Sequence, residues 1–332
     1  MSAARAPVIA VDVNGADDPR AAAEGAAASG VDVLIFGPAR EVPHVTHDAP
    51  VSIAKASDPA RAARSTPEAS IVQAARAVAE GEADAFVAGG STGAALAAGL
   101  FNVKRGKGIH RPALAIPVPV PGAPVTLLDV GANDVCRPEH LVQFAYMGAA
   151  LASAVLGVER PRVGLLSNGT EPERGRDEVV DAHERLRGME GFVGNVEGFA
   201  ITRGVADVIV TDGFTGNVTL KVMEATSQAM VAAVRRAATS GPKAKLGGAL
   251  LRPALRGLRS EIDPEAQGGA YLLGLRRLGV VPHGSFSAEG WSEAVRRAAR
   301  GVTEDVVGRT HAALEEAGAL RRVPASDAAS SL

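Results

Sequence analysis

The stretch DVIVTDGFTGNVTLK, residues 207–221, decides the fold because it passes from a buried strand through a glycine turn into a helix. Val208–Val210 is a β-branched apolar run, which is typical of a parallel strand that helices cover on both faces. Gly213 and Gly216 permit backbone angles closed to other residues and let a ligand approach the main chain. The sequence therefore predicts a strand, a tight turn and a helix in immediate succession.

The turn at the start of this helix is a candidate anion site. Thr215 and Asn217 stand where a helix N-cap is expected, shortly after Asp212 at the end of the strand. Free N–H groups and the helix dipole together favour a negative group, most naturally a phosphate, at this position. Two glycines that merely close a tight loop would give the same pattern, so both interpretations stay open.

A second turn repeats this arrangement. Residues 84–89 have the pattern of a buried strand, and Gly90-Ser91-Thr92-Gly93 then opens an alanine-rich helix with the G-x-T-G spacing of residues 213–216. A purely structural role explains two such turns less well than one. Both turns are therefore predicted to bind phosphate. The chain shows neither G-x-x-x-x-G-K-[ST] at these turns nor G-x-G-x-x-G after the first strand, which disfavours nucleoside triphosphates and dinucleotides.

Polar residues lie at the ends of several other predicted strands: Asp12 near the end of 8–13, Asn133 after 125–130, Arg174 after 163–166, and His283 after the last strand. Right-handed crossovers place the carboxyl ends of parallel strands at one edge of a doubly wound sheet, so we expect these residues and both glycine turns to meet there. The alternation of strands and helices over residues 5–322 predicts a single α/β domain with three layers and a mostly parallel, doubly wound sheet. A disordered tail is expected over 323–332.

Composition excludes several classes of function. The chain has 332 residues and a formal net charge of -2, so no broad basic surface is available and nucleic-acid binding is not expected. One cysteine rules out an intramolecular disulfide framework, and the lack of a signal peptide near Met1 indicates a reducing cytoplasm. The longest apolar runs are too short to span a bilayer, so any membrane contact is expected to be peripheral.

The sequence gives little support to nucleophilic or metal chemistry. Cys136 has no identifiable activating base nearby, so an inert thiol is expected. His140 falls at helical spacing with Gln143 and Phe144, which predicts a packing or capping role. No metal-binding spacing is evident, and neither a metal nor a cofactor is predicted.

Residues 243–262 differ in kind from the rest of the chain. On a helical projection Leu250, Leu251, Leu255, Leu258 and Ile262 fall on one arc, and Lys245, Arg252, Arg256 and Arg259 fall opposite them. Pro253 is expected to divide the stretch into two short helices. A basic amphipathic helix can lie on an anionic membrane, but an ordinary surface or dimer helix has the same pattern, and both interpretations stay open.

Several motifs, in the same order along the chain, resemble those of the bacterial phosphate acyltransferases of phospholipid synthesis, the PlsX family. They are KGIHRPA at 107–113, LLDVGAN at 127–133, PEHLVQFAYMG at 138–148, GNVE at 194–197, DGFTGNVTLK at 212–221, and His283-Gly284. The resemblance covers most of the chain, from Val8 to a closing helix predicted over 291–318.

The resemblance implies a fold similar to the isopropylmalate dehydrogenase type, and a homodimer. It implies transfer of a long-chain acyl group from acyl carrier protein to inorganic phosphate, which yields an acyl phosphate. That product would feed a glycerol-3-phosphate acyltransferase, so the implied location is the cytoplasm, with peripheral attachment to the inner face of the cell membrane.

Under this interpretation phosphate attacks the acyl thioester directly, because the sequence offers no credible Ser–His or Cys–His pair. The N–H groups of the turns at 90–93 and 213–217, together with Arg174, would hold the phosphate. Asp12, Asn133 and Asp212 are further candidates for the substrate site.

Two roles remain for the other candidates. Asn217 or Thr215 would donate a hydrogen bond to the developing oxyanion. His283 would assist departure of the thiolate, and a histidine held for structure is the alternative at that position.

The chain departs from the family pattern at Ala16, Ser91, Asp134, Ser167 and Arg174. Arg174 stands where the family carries a lysine tied to catalysis, and arginine keeps the charge but not the compact ammonium. These departures motivate an alternative, a catalytically weakened relative that binds acyl carrier protein or acyl phosphate as a membrane scaffold. A hydroxy-acid dehydrogenase on a similar fold is a more distant alternative, which the missing dinucleotide motif opposes.

Overall fold

The computed structural model describes residues 5–118, 120, 125–261 and 263–321. Within these residues the strands are β1 Val8–Asp12, β2 Asp32–Gly37, β3 His47–Asp48, β4 Ala85–Ala88, β5 Ala113–Val118, β6 Val125–Leu128, β7 Val163–Leu166, β8 Phe192–Val196, β9 Val208–Val210, β10 Ala270–Leu273 and β11 Leu278–Val281. The α-helices are α1 Pro19–Ala27, α2 Pro59–Ser65, α3 Ser70–Glu80, α4 Thr92–Ala98, α5 Pro138–Leu156, α6 Asp177–Leu186, α7 Gly213–Thr239, α8 Pro242–Glu261, α9 Ala288–Thr303 and α10 Val306–Glu316. The predicted tail at 323–332 lies outside the described residues.

All the strands belong to one sheet in the order β3-β2-β1-β4-β11-β10-β5-β6-β9-β7-β8. Strands β3, β2, β1, β4 and β11 form one parallel group, and β6, β9, β7 and β8 form another. Between the groups lie three antiparallel pairings, β11 with β10, β10 with β5, and β5 with β6. Because the number of reversals is odd, the two parallel groups run in opposite directions.

This reversal gives the sheet two distinct edges with strand-end loops. We call them the β1 edge, where β1, β4 and β11 end, and the β9 edge, where β6, β7, β8 and β9 end. The prediction that all strand ends share one edge is therefore wrong. The prediction assumed an uninterrupted parallel sheet. No residue in the short strands β10 and β5 distinguishes antiparallel from parallel pairing.

Helices cover both faces of the sheet and bury two apolar cores. On one face α1, α5, α6, α9 and α10 pack around Phe144, Met147 and Trp291. On the other face α2, α3, α4 and the start of α7 pack around Phe86, Leu127 and Ile209. A mixed, mostly parallel sheet between two helix layers confirms the predicted α/β class.

Two predicted helix boundaries are wrong. The closing helix expected over 291–318 is interrupted between α9 and α10, where Asp305 has a left-handed backbone (φ 49°) and caps α10 by accepting a hydrogen bond from Gly308 N at 3.2 Å. Conversely, Pro253 lies inside α8, which continues through it as one helix. A proline removes one N–H group and tends to bend a helix, but the remaining hydrogen bonds can carry the helix past it.

Helix α7 extends well beyond the sheet. Its 27 residues correspond to about 40 Å, while its buried residues are Gly213 and Gly216 at the start. Further along, α7 packs against α8. Apolar side chains at intervals of four or eight residues stay exposed along the helix, namely Phe214, Val218, Val222, Met230 and Val234. These two helices form an arm, defined here as residues 220–261, that projects from the body of the protein.

The turn after β4 depends on a glycine. Gly90 has φ 90°, and a Cβ atom added there would lie 1.8 Å from Gly15 O. Gly157 at the end of α5 also has positive φ (70°), but an added Cβ would have open space among the described atoms. We expect Gly157→Ala to lower the free energy of unfolding by about 1 kcal/mol, and Gly90→Ala to cost several kcal/mol because it adds a steric clash. Urea unfolding of both variants measures the difference, and equal losses would show that the Gly15–Gly90 contact is not tight.

Candidate active site

A buried carboxylate organises the loop after β6. Asp129 is fully buried, and its oxygens accept hydrogen bonds from the N–H groups of Leu114, Gly131, Ala132 and Asn133 at 2.9–3.2 Å. The side-chain amide of Asn133 adds a further bond to Asp129 at 2.8 Å. Burial raises the pKa of Asp129, and these donors act in the opposite direction. The loop is thereby fixed against the start of β5.

Helix α7 begins directly against this loop. Gly213 N donates to Asn133 O at 2.7 Å, and a Cβ atom added at Gly216 would lie 1.9 Å from Asp129 O. Glycine at 216 thus permits a contact that any side chain would prevent. The same approach brings the Asn217 amide beside Gly131, where an added Cβ would lie 2.9 Å from Asn217 Nδ2.

Asp212 is the N-cap of α7, in place of the predicted Thr215 or Asn217. Its carboxylate is 3% exposed and accepts bonds from Thr215 N at 2.9 Å and from Thr215 Oγ1 at 2.8 Å. The expectation of free N–H groups at this turn is therefore wrong for Gly213 and Thr215. The protein's own carboxylate already occupies the favourable place for an anion at the helix N-terminus.

The cation paired with Asp212 is Arg176, which forms a hydrogen-bonded ion pair with the Asp212 carboxylate while its own side chain stays 54% exposed. Arg174, the predicted cation, is more exposed and pairs with Glu171 at 3.7 Å. Sequence analysis missed Arg176 because a second arginine two residues further along a polar loop carries no separate signal. Geometry therefore makes Arg176 the better candidate for contact with an anionic substrate.

The loop that carries both arginines is fixed by side chains of the neighbouring strand and loop. Asn195 donates its amide to Glu171 O at 2.7 Å and to Arg174 O at 3.1 Å, and Ser167 Oγ donates to Arg174 O at 3.0 Å. Beside Asp212 this loop borders a cavity of about 370 Å³, lined by Ser167, Asn168, Gly175, Arg176, Asp212 and Thr215 among others. A cavity of this size is adequate for a small ligand.

Three groups of predicted site residues lie at the opposite, β1 edge. Asp12 is buried at the end of β1, Ser91 is the N-cap of α4, and His283 is exposed with its Nδ1 2.8 Å from Ser285 Oγ. Gly90 and Gly284 contact each other there. Within one chain the structure does not bring the Gly90–Gly93 turn or His283 to Asp212 and Asn217, because the two parallel strand groups point in opposite directions.

Cys136 and His140 agree with the predicted inert and capping roles. Cys136 is buried, and burial, reinforced by the charges of Asp129 and Asp212, raises the pKa of its thiol to about 12. His140 is buried at the start of α5, where its Nδ1 accepts a hydrogen bond from Arg137 N at 3.2 Å. Neither side chain has the environment of an activated nucleophile or base.

One group of possible metal ligands occurs in the described residues: His110, Glu139 and His140, whose ligand atoms lie within 4.8 Å of one another. His140 Nδ1 accepts a backbone N–H, so in the neutral ring the proton is on Nε2, and Glu139 pairs with Arg137 at 3.5 Å. A metal would have to displace both interactions. The group is better explained as the cap of α5.

Similar solved structures define the class of fold. A phosphotransacetylase from Streptococcus pyogenes matches with a TM-score of 0.58 at 17% identity, over 90% of this chain and 94% of that one. A 4-hydroxythreonine-4-phosphate dehydrogenase from Klebsiella pneumoniae matches with a TM-score of 0.53 at 15% identity, over 91% and 99%. At these identities the likeness concerns the fold alone, which agrees with the expected dehydrogenase-type architecture.

Sequence relatives identify the family. The family model described as "Fatty acid synthesis protein" matches residues 9–309. A phosphate acyltransferase from Geobacillus sp. (strain WCH70) is 41% identical over 324 residues, 93% of this chain and 98% of that one. A phosphate acyltransferase from Levilactobacillus brevis is 47% identical over 249 residues, 73% of this chain and 72% of that one. The chain belongs to the fatty acid synthesis protein family, and it is an enzyme of the acyltransferase class.

The buried carboxylate at the β1 edge generates a pH prediction. Burial raises the pKa of Asp12 to about 6. Folded Asp12 therefore binds its proton more tightly than the unfolded chain does, so the free energy of unfolding should fall by about 3 kcal/mol as pH rises from about 4 to about 6. Asp12→Asn stays neutral and should remove this fall, whereas Asp17→Asn at an exposed position should keep it. Urea unfolding across this pH range measures both, and parallel curves for Asp12→Asn and wild type would contradict the assignment.

Proposed function

We propose that the protein transfers a long-chain acyl group from acyl carrier protein to inorganic phosphate and so forms an acyl phosphate for phosphatidic acid synthesis. The observation that carries this proposal is the cavity at the β9 edge that Asp212, Arg176 and Thr215 line together, at the start of the helix that places Asn217 beside Gly131. The motifs LLDVGAN and DGFTGNVTLK meet there as well. The names of the relatives supply the phosphate acceptor and the acyl chemistry.

Phosphate binding would use charge at the mouth of the cavity. The Arg176 guanidinium is half-exposed; its Nη2 group bonds Asp212 and its Nε pairs with Glu178 at 3.2 Å, so its Nη1 group would bind a phosphate oxygen. Arg174 lies on the same loop and would add a second positive charge. The Thr215 hydroxyl bonds Asp212 at 2.8 Å and lines the same cavity.

The reaction then needs positioning and charge stabilisation rather than a protein nucleophile. A phosphate oxygen attacks the thioester carbonyl carbon, the C–O bond forms, and the carbonyl oxygen becomes an oxyanion to which the Asn217 amide donates. Collapse breaks the C–S bond, and the proton carried by hydrogen phosphate ends on the departing sulfur. The products are the acyl phosphate and the free carrier thiol, so atoms and charge balance.

The turn Gly90–Gly93, with Asp12 and His283, has no part in this mechanism within one chain. A phosphate-binding role for these residues stays a prediction for a separate position at the β1 edge. Assistance to the thiolate by His283 likewise stays a prediction, and its exposed position beside Ser285 agrees equally with a structural role.

The oxyanion role of Asn217 is tested by removing its donor. We expect Asn217→Ala to lower kcat by about 10²-fold or more, the magnitude typical of losing one such donor, with the melting temperature unchanged. Thr219→Ala, two residues further along α7, is the matched control and should keep near-normal turnover. The assay is phosphate-dependent formation of acyl phosphate from palmitoyl acyl carrier protein. Activity of Asn217→Ala within about threefold of wild type would remove Asn217 from the mechanism.

The weakened-relative alternative, which the departures from the family pattern motivate, is favoured by a further observation. The Asp212 carboxylate already caps the N-terminus of α7 and pairs with Arg176. If that ion pair does not open to phosphate, the protein would bind acyl carrier protein or acyl phosphate without turnover. Binding of palmitoyl acyl carrier protein with no acyl phosphate formed at any phosphate concentration would favour the scaffold.

We further propose a homodimer that lies peripherally on the inner face of the cell membrane and delivers acyl phosphate to a glycerol-3-phosphate acyltransferase. The exposed apolar row on α7 supports contact with a second copy. In the described part of the chain, no helix has both the length and the apolar character needed to cross a bilayer. Attachment would therefore depend on the surface of the arm.

The surface of α8 differs from the predicted arc in one respect. Leu246, Leu250 and Leu251 are 58–78% exposed, whereas Leu255 lines the space between α7 and α8 together with Lys245, Arg252 and Arg256. Among the described side chains of α8 the exposed leucines thus lie towards its start, and the predicted Leu258, Arg259 and Ile262 lie outside the described side chains. Leucine insertion with nearby cations is the combination that anionic bilayers attract.

Membrane attachment is tested with these three exposed leucines. Replacing Leu246, Leu250 and Leu251 together by glutamate should weaken binding to phosphatidylglycerol vesicles by about 100-fold or more, since each buried leucine contributes about 1.5 kcal/mol or more. Replacing the same three by methionine keeps the apolar surface and should retain binding. Vesicle flotation measures both, and acyl phosphate formation in solution checks that the site is intact. Equal flotation of the two variants would refute attachment through α8.

A further inference from the structure

A second cavity lies along α7, away from the Asp212 site. Its volume is about 440 Å³, and it lies between one face of α7 and the end of β5. The larger apolar side chains among its lining residues include Ile116, Pro117, Val118, Leu220, Met223 and Val231. Leu220, Met223 and Ile116 also pack on the sheet core, so the floor of the cavity is continuous with the protein interior.

We propose that this groove binds the acyl chain of the substrate and that its length selects the chain length. The proposal rests on the proposed function and adds to it the place of the chain. A hydrocarbon chain is the occupant that matches a mostly apolar lining, although Glu224, Ser227 and Gln228 also border the groove and Arg235 lies further along α7.

The groove starts where the reaction would take place. Asn217 lies one helical turn before Leu220, and both belong to the first part of α7. The lining positions 220, 223, 227 and 231 recur at helical spacing, so they form one face of α7. An acyl carbonyl bound at Asn217 can therefore continue directly into the groove.

The dimensions also agree. From Asn217 to Val231 the helix rises about 21 Å, and from Asn217 to Ser227 about 15 Å. A fully extended palmitoyl chain spans about 20 Å and an octanoyl chain about 10 Å, at about 1.25 Å per carbon. A palmitoyl chain would pass Ser227 and end near Val231, whereas an octanoyl chain would end before Ser227.

The larger cavity between α7 and α8 is a poorer candidate for the chain. Lys245, Arg252 and Arg256 line it, and its first α7 residue, Thr226, is more than two turns from Asn217. Burying cations against a hydrocarbon chain is unfavourable. The groove along β5 begins one turn from Asn217, and Arg235 is the cation among its lining residues.

The experiment places a bulky side chain in the middle of the groove. Ser227→Trp should lower kcat/KM for palmitoyl acyl carrier protein by tenfold or more and leave octanoyl acyl carrier protein within about twofold, because each buried methylene contributes about fourfold in affinity. Ala229→Trp is the matched control, since Ala229 is also exposed on α7 and lies outside both cavity linings. It should leave both donors unchanged.

Binding of alkyl phosphonates provides a readout that does not require turnover. Hexadecyl phosphonate should bind the wild type and bind Ser227→Trp at least tenfold more weakly, while octyl phosphonate should bind both alike. If the wild type forms no acyl phosphate yet shows this pattern, the proposed reaction fails and the groove assignment stands.

Three results would overturn the groove. The first is an equal loss of kcat/KM for the palmitoyl and octanoyl donors in Ser227→Trp, and the second is no loss of kcat/KM for either donor. The third is a change in oligomeric state without a change in chain-length preference. The last result would mean that a second copy of the chain covers this face.

Discussion

The docking of α7 onto the loop after β6 is the constraint on which the site depends. Asp129 gathers four backbone N–H groups and the Asn133 amide, so the loop has a single arrangement with its carbonyl groups turned towards the helix. Gly213 and Gly216 then approach these carbonyls more closely than residues with side chains can. A buried carboxylate satisfied in this way fixes geometry and is costly to disturb.

The position of α7 determines the chemistry that follows. Its first turn is capped by Asp212, which in turn holds Arg176, and its second turn carries Asn217 beside Gly131. The face that follows borders the groove, and from residue 220 onward the helix belongs to the arm that it forms with α8. One helix thus connects the proposed reaction centre, the proposed acyl groove and the proposed membrane contact.

Sequence reasoning located strands such as β1, β4, β6, β7 and β9 and the turn at 207–221 because short β-branched runs and paired glycines have specific physical causes. It did not find the reversal of the sheet, since a four-residue strand such as β10 reads the same in either direction. It named Thr215 and Asn217 as caps because both are competent N-cap residues, but Asp212 lies at the strand end, where its carboxylate reaches Thr215 N. Arg176 was missed because its importance comes from a partner 36 residues away.

The central claim is that phosphate binds at the β9 edge, beside Arg176, and not at the turn of the β1 edge. The most direct measurement is the phosphate KM of Arg176→Gln and Thr92→Val, determined with the same acyl donor. The account predicts that Arg176→Gln raises this KM by about tenfold or more, the magnitude of a lost charge-assisted hydrogen bond, and that Thr92→Val leaves it unchanged. A raised phosphate KM in Thr92→Val with a normal value in Arg176→Gln would contradict it and place the reaction at the β1 edge.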